Sequence, residues 1–143
     1  MRERSRARRV ALFAVLASAL HACGLPEGPQ PIAWDREPCA HCRMLISDPA
    51  FAAQLHTEDG GVESFDDPGC LFASLEARQP RVHALWFHHL REERWLPGDA
   101  VAFVRTTPTP MDFGFGAVDP GAPGSVSIEA VRAELRGRGG AAR

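Results

Sequence analysis

Cys39-Ala40-His41-Cys42-Arg43-Met44 constrains this chain more than any other stretch. Two thiols, an imidazole and a thioether fall within six residues. Soft sulfur at that density selects Cu(I), Zn(II) or an iron–sulfur cluster over hard cations. The Cys-x-x-Cys spacing alone is shared by zinc sites, redox motifs and copper sites. Met44 narrows the choice, because zinc rarely takes a thioether whereas Cu(I) takes Cys and Met readily. A structural disulfide beside an ordinary core methionine is the bland alternative.

The 143 residues are enough for one ordinary domain or two very small ones, and 45% hydrophobic with 24% charged residues is a globular composition. All 16 basic residues are Arg. Residues 1–22 hold five Arg and one Glu, which leaves 11 basic and 17 acidic groups in residues 23–143, a net charge of −6. An acidic body with no basic stripe argues against nucleic acid as partner, since neutralising phosphates needs Lys or Arg.

The basic groups at the start have a different meaning. Residues 1–9 form a positive segment, and Val10 to Leu20 is an apolar run of 11 residues, too short for a spanning helix of about 20. A charged start, a short apolar core and small residues after it make a secretory signal over residues 1–22. The run ends Leu20-His21-Ala22-Cys23, which resembles a bacterial lipobox. That resemblance implies cleavage before Cys23 and diacylglycerol on its sulfur. Residues 23–38 carry four Pro and two Gly. They read as an extended tether without a core of its own, with the fold beginning near Trp34.

From residue 39 to 136 the pattern is that of a metal-binding α+β domain, followed by a frayed tail over 137–143. Asp48-Pro49 makes a turn, Phe51 to Thr57 is a strand, Asp59-Gly60-Gly61 is a hairpin signal and Val62 to Phe65 is the return strand. Asp67 can cap a helix with Pro68 in its first position, and Gln79-Pro80 stops it. A second round follows. Ala84 to Phe87 is a strand, Trp95 to Asp99 a turn, Ala100 to Val104 a strand and Thr106 to Pro110 an irregular loop. Met111 to Val118 carries glycines that let backbone approach something closely. Ser127 can cap a last helix whose apolar face is Ile128, Val131 and Leu135, with Gly137 ending it. Strands and one helix thus occur twice, near residues 44–78 and 84–136, which reads as an α+β chain with a duplicated unit.

Cys42, Met44 and Met111 are the core candidates for metal binding, with Cys39 as a fourth ligand or auxiliary thiol. Met111 sits in a loop bracketed by Pro110 and Gly114, an unusual place for a packing methionine. His41 and Cys70 are weaker candidates. Cys70 falls in the first turn of the first helix, where the dipole lowers a thiol pKa; it reads as a ligand, a disulfide partner of Cys39 or a buried small residue. His56, His88 and His89 read as structural, because adjacent strand residues face opposite sides. Capping accounts for Asp66-Asp67 without acid–base chemistry. There is no Gly-rich phosphate loop, serine elbow or His-Glu-x-x-His pattern, so no catalytic set emerges.

Taken together, Cys39-x-x-Cys42-x-Met44-Leu45-Ile46-x-Asp48, Phe51-Ala52-Ala53, Gly60-Gly61, Phe65-Asp66-Asp67 and Met111-x-x-Gly114-x-x-Ala117 resemble the NosL family, lipoproteins encoded with nitrous oxide reductase. Arg43 stands where Gly is expected. The resemblance implies a membrane-anchored, periplasm-facing protein that binds Cu(I) and supplies copper to that reductase or its loading machinery. It also implies two β-rich units with one helix each, similar to the N-terminal part of organomercury lyase. Two other classes compete with this copper-delivery reading: a thiol–disulfide oxidoreductase using Cys39 and Cys42, and a structural zinc site of Cys39, Cys42, Cys70 and one His.

Overall fold

Turn residues set the element boundaries in the first half of the chain. A computed structural model describes residues 24–141; the expected signal, Cys23 and residues 142–143 lie outside the described residues. Asp48 accepts a hydrogen bond from the Ala50 N–H and starts a 3₁₀ turn, Pro49–Phe51. Strand β1 (Ala53–Thr57) follows, and Gly60, at φ +90°, turns the chain into β2 (Val62–Phe65). Asp67 then caps helix α1 (Pro68–Arg78), its side chain accepting from the Gly69 N–H at 2.8 Å. Gln79 closes that helix in the left-handed conformation, donating its N–H to Leu75 O.

Strands β3 (Val82–His88) and β4 (Trp95–Pro97) complete a first antiparallel sheet in the order β2-β1-β3-β4. The expected turn over Trp95–Asp99 is therefore a short edge strand running into a turn. Pro97 has no N–H to offer a further neighbour, and an edge strand tolerates that. Strands β5 (Ala102–Arg105), β6 (Phe115–Val118) and β7 (Val126–Ser127) make a second antiparallel sheet, β6-β5-β7. Helix α2 (Ile128–Ala141) ends the described chain. Ser127 helps to start it, its hydroxyl accepting from the Ala130 N–H. Gly137 does not end it: a glycine inside a helix costs about 1 kcal/mol, and the helix continues through the expected tail to Ala141.

The fold is thus α+β, two antiparallel sheets with two helices, but the division expected at residue 84 falls later, since β3 and β4 belong to the first sheet. In each sheet the first strand of a hairpin also takes a third strand on its other edge. The helix precedes that third strand in the first unit and follows it in the second. One core serves both units. Phe72 of α1, Phe87 of β3 and Phe103 of β5 form a triangle with ring centroids 5.1–5.7 Å apart, and such pairs add about 0.5–1.5 kcal/mol each beyond burial. The Leu90 N–H, just past β3, donates to Ala117 O of β6 and stitches the sheets together.

The expected tether is docked over its second half. Ile32 lies in the core. The buried amide of Gln54 accepts from the Gln30 N–H at 2.8 Å and donates to Gln30 O at 2.9 Å. A glutamine amide here replaces the strand partner that the Pro-rich segment cannot provide.

Candidate metal centre

Residues 38–45 close into a tight hairpin. Pro38 and Leu45 bridge, the Cys39 N–H donates to Met44 O at 2.8 Å, and the Arg43 N–H donates to Cys39 O at 3.1 Å. Closing so short a loop puts Arg43 in the left-handed region at φ +69°. Glycine enters that region freely and Arg does so only under constraint, which is the physical sense of the glycine expected at this position. The Cys-x-x-Cys stretch therefore does not open a helix, the context a thioredoxin-like redox pair requires.

The hairpin turns its sulfurs inward. Backbone N–H groups of Cys42 and Asp66 bond to Cys39 Sγ, and that of Met44 bonds to Cys42 Sγ. N–H donors aimed at sulfur favour the thiolate, the form that binds metal. The Ala40 N–H donates to Ser64 O and fixes the hairpin against the end of β2. From there the chain passes through Asp66 and Asp67 into α1, whose first turn delivers Cys70. Three local structures thus meet: a hairpin, a strand end and a helix start.

The result is a group of four donors. The sulfurs of Cys39, Cys42 and Cys70 and one carboxylate oxygen of Asp66 all lie within 4.8 Å of one another. Cys39 and Cys70 are fully buried, Asp66 is 3% exposed and Cys42 is half-buried. All three thiols are free; of the three roles open to Cys70, pairing with Cys39 is not the one seen. Cys42 Sγ stands 3.4 and 3.5 Å from the two oxygens of Asp66.

Electrostatics divides the thiols by role. A hydrogen bond from Cys70 brings Cys39 down to about 6, against the opposing pull of burial. Burial pushes Cys42 up to about 11. Cys70 is raised, first because it donates its proton to Cys39 and then by burial. The helix dipole was expected to lower Cys70; sharing a dry pocket with a neighbouring thiolate outweighs it.

Among the sequence candidates, the fold brings Cys39, Cys42 and Cys70 together and leaves His41 exposed, outside the group. Met44 (60% exposed) and Met111 (37% exposed) are on the surface. The backbone of Met44 belongs to the hairpin, whereas that of Met111 is tied to the start of α1, its N–H donating to Asp67 Oδ2 at 3.2 Å. Asp66 is the donor that sequence reasoning missed. The only signal available was positional: the cap must directly precede Pro68, so Asp67 alone can serve, and Asp66 is left for other work.

No known protein family, curated protein or solved structure matches this chain. Among the described residues, no helix is long and apolar enough to cross a membrane.

Proposed function

We propose that this protein binds one Cu(I) through Cys39, Cys42 and Cys70 and passes it on to an acceptor, without catalysing a reaction itself. The observation behind this reading is the convergence of three free thiols in one buried group while a single one, Cys42, stays half-open. Thiolates hold Cu(I) tightly, and a half-open ligand leaves a route for exchange with another protein's sulfur. Met44, whose backbone N–H bonds to Cys42 Sγ, carries a thioether two residues from that ligand. It needs no deprotonation, so it binds without a pH cost. The resemblance to the NosL family extends the proposal. Cys23 would carry the lipid, the body would face the periplasm at the membrane, and nitrous oxide reductase, its loading machinery or another exported copper enzyme would receive the metal.

A second reading rests on Asp66. Its carboxylate is a hard oxygen donor among the sulfurs, and oxygen with thiolate suits Zn(II). Titrating the protein with Cu(I) against a chelator, then challenging it with Zn(II), separates the two. One Cu(I) per chain, retained over excess Zn(II), supports delivery of copper. Zn(II) bound equally well or better, with an apo form that unfolds, makes the group a structural zinc site.

A further inference from the structure

Asp67 and Met111 are 44 residues apart in sequence, yet one buried carboxylate holds both the start of α1 and the loop that bears the methionine. Its Oδ1 accepts from the Gly69 N–H at 2.8 Å and its Oδ2 from the Met111 N–H at 3.2 Å. The Thr109 side chain also bonds to this carboxylate. Thr109 in turn accepts from the Gly114 N–H through Oγ1. Farther along, the ring of Phe113 lies so close to α1 that a Cβ on Gly69 would stand 2.0 Å from it. The loop is otherwise irregular, with little backbone bonding of its own.

Capping a helix requires one side-chain oxygen, and Asn, Ser or Thr serve nearly as well as Asp. The second oxygen of Asp67 has no part in the cap. It is spent on the N–H of the one residue in this loop with a soft donor, and it ties that residue to the start of α1, the helix whose first turn carries Cys70. We propose that Asp67 is a positioning residue for the thiol group: through Oδ2 it fixes Met111 at the rim, where the thioether completes the Cu(I) site. This rests on the copper reading given above.

Asp67→Asn tests it. An amide oxygen still accepts from Gly69 and keeps the cap, but the other atom becomes an NH₂ that cannot accept from Met111. Asp67→Ser, with one hydroxyl for the cap and no second acceptor, is the companion variant. Cu(I) affinity is measured by chelator competition on the full chain in detergent, for wild type, both variants, Met111→Ala and the double variants. The expected result is a loss of about tenfold for each single change. The doubles should be no weaker than Met111→Ala alone, because a positioning residue has nothing left to position. Copper X-ray absorption should show the same loss of one sulfur neighbour in Asp67→Asn as in Met111→Ala. Losses that add, or Asp67 variants within about twofold of wild type, overturn the inference. So does unfolding of both variants, which would make the carboxylate purely structural. Failure of the wild type to hold Cu(I) over Zn(II) would instead overturn the copper reading on which the inference stands.

Discussion

Two groups of close donor atoms occur among the described residues, and they differ in how their donors are employed. Cys39, Cys42, Asp66 and Cys70 form one; His89, Glu92 and Asp119 form the other, with the same mutual spacing. In the second group every donor is already engaged. His89 Nδ1 accepts from the Arg91 N–H at 3.1 Å, so the proton of the neutral ring sits on Nε2, facing the carboxylates at 3.7 and 4.0 Å. A metal at Nε2 would have to displace that proton while Nδ1 still accepts. Arg94 bonds to both Glu92 and Asp119, which are each more than half exposed. The first group has no cation inside it. Cys70 and backbone N–H groups favour the thiolate of Cys39, while Cys42, set against the Asp66 carboxylate, and Cys70 are shifted toward the thiol. Proximity alone therefore does not set the two groups apart; the difference is that a cation, Arg94, already holds the carboxylates of the second.

Four measurements would break or sharpen this contrast. The largest effect is expected for Cys42→Ser, which removes the half-open thiol. Cu(I) affinity should fall at least about a hundredfold, about 2.7 kcal/mol, while the apo protein keeps its circular dichroism; unchanged affinity would erase the distinction between the groups. Next, Gly69→Ala puts a methyl group into the Phe113 ring. Overpacking of this kind costs about 1–3 kcal/mol, to be read from chemical denaturation, and an unchanged midpoint would mean that the loop yields freely. Met44→Ala should weaken Cu(I) by about tenfold, about 1.4 kcal/mol, by the same competition assay; no change would confine the metal to the buried donors. The smallest effect belongs to the second group. Asp119→Asn breaks surface ion pairs that are typically worth at most about 1 kcal/mol and should leave metal stoichiometry untouched. A lost equivalent of metal in that variant would show that His89 and its neighbours bind after all.

Local chemistry made much of the fold legible. Asp67-Pro68, Asp59-Gly60-Gly61 and Gln79-Pro80 are short-range signals, and α1 and the β1–β2 hairpin fall where they indicate. The three thiols were visible as candidates for the same reason: their chemistry is intrinsic to the side chain. What stayed hidden depends on contacts between distant segments. Asp66 enters the group only because the hairpin docks on β2 through Ala40 and Ser64. Strand β4 exists because β3 offers it an edge, which outweighs the turn tendency of Pro97-Gly98. Ile32 is buried because Gln54 can act as a strand for its neighbour Gln30, and nothing in a Pro-rich composition announces that.

That glutamine clasp also sets a length. Were the chain free as far as Pro38, the 15 residues from Cys23 could let the body range about 50 Å from its attachment. Fastened at Gln30, and already at Pro26 through its bond to the His56 ring, the chain leaves only three residues, a radius of about 10 Å at full extension. If Cys23 carries a lipid and the thiol group carries a metal, as proposed, that group stays within about one protein diameter of the bilayer, and a receiving protein would have to meet it at the membrane surface.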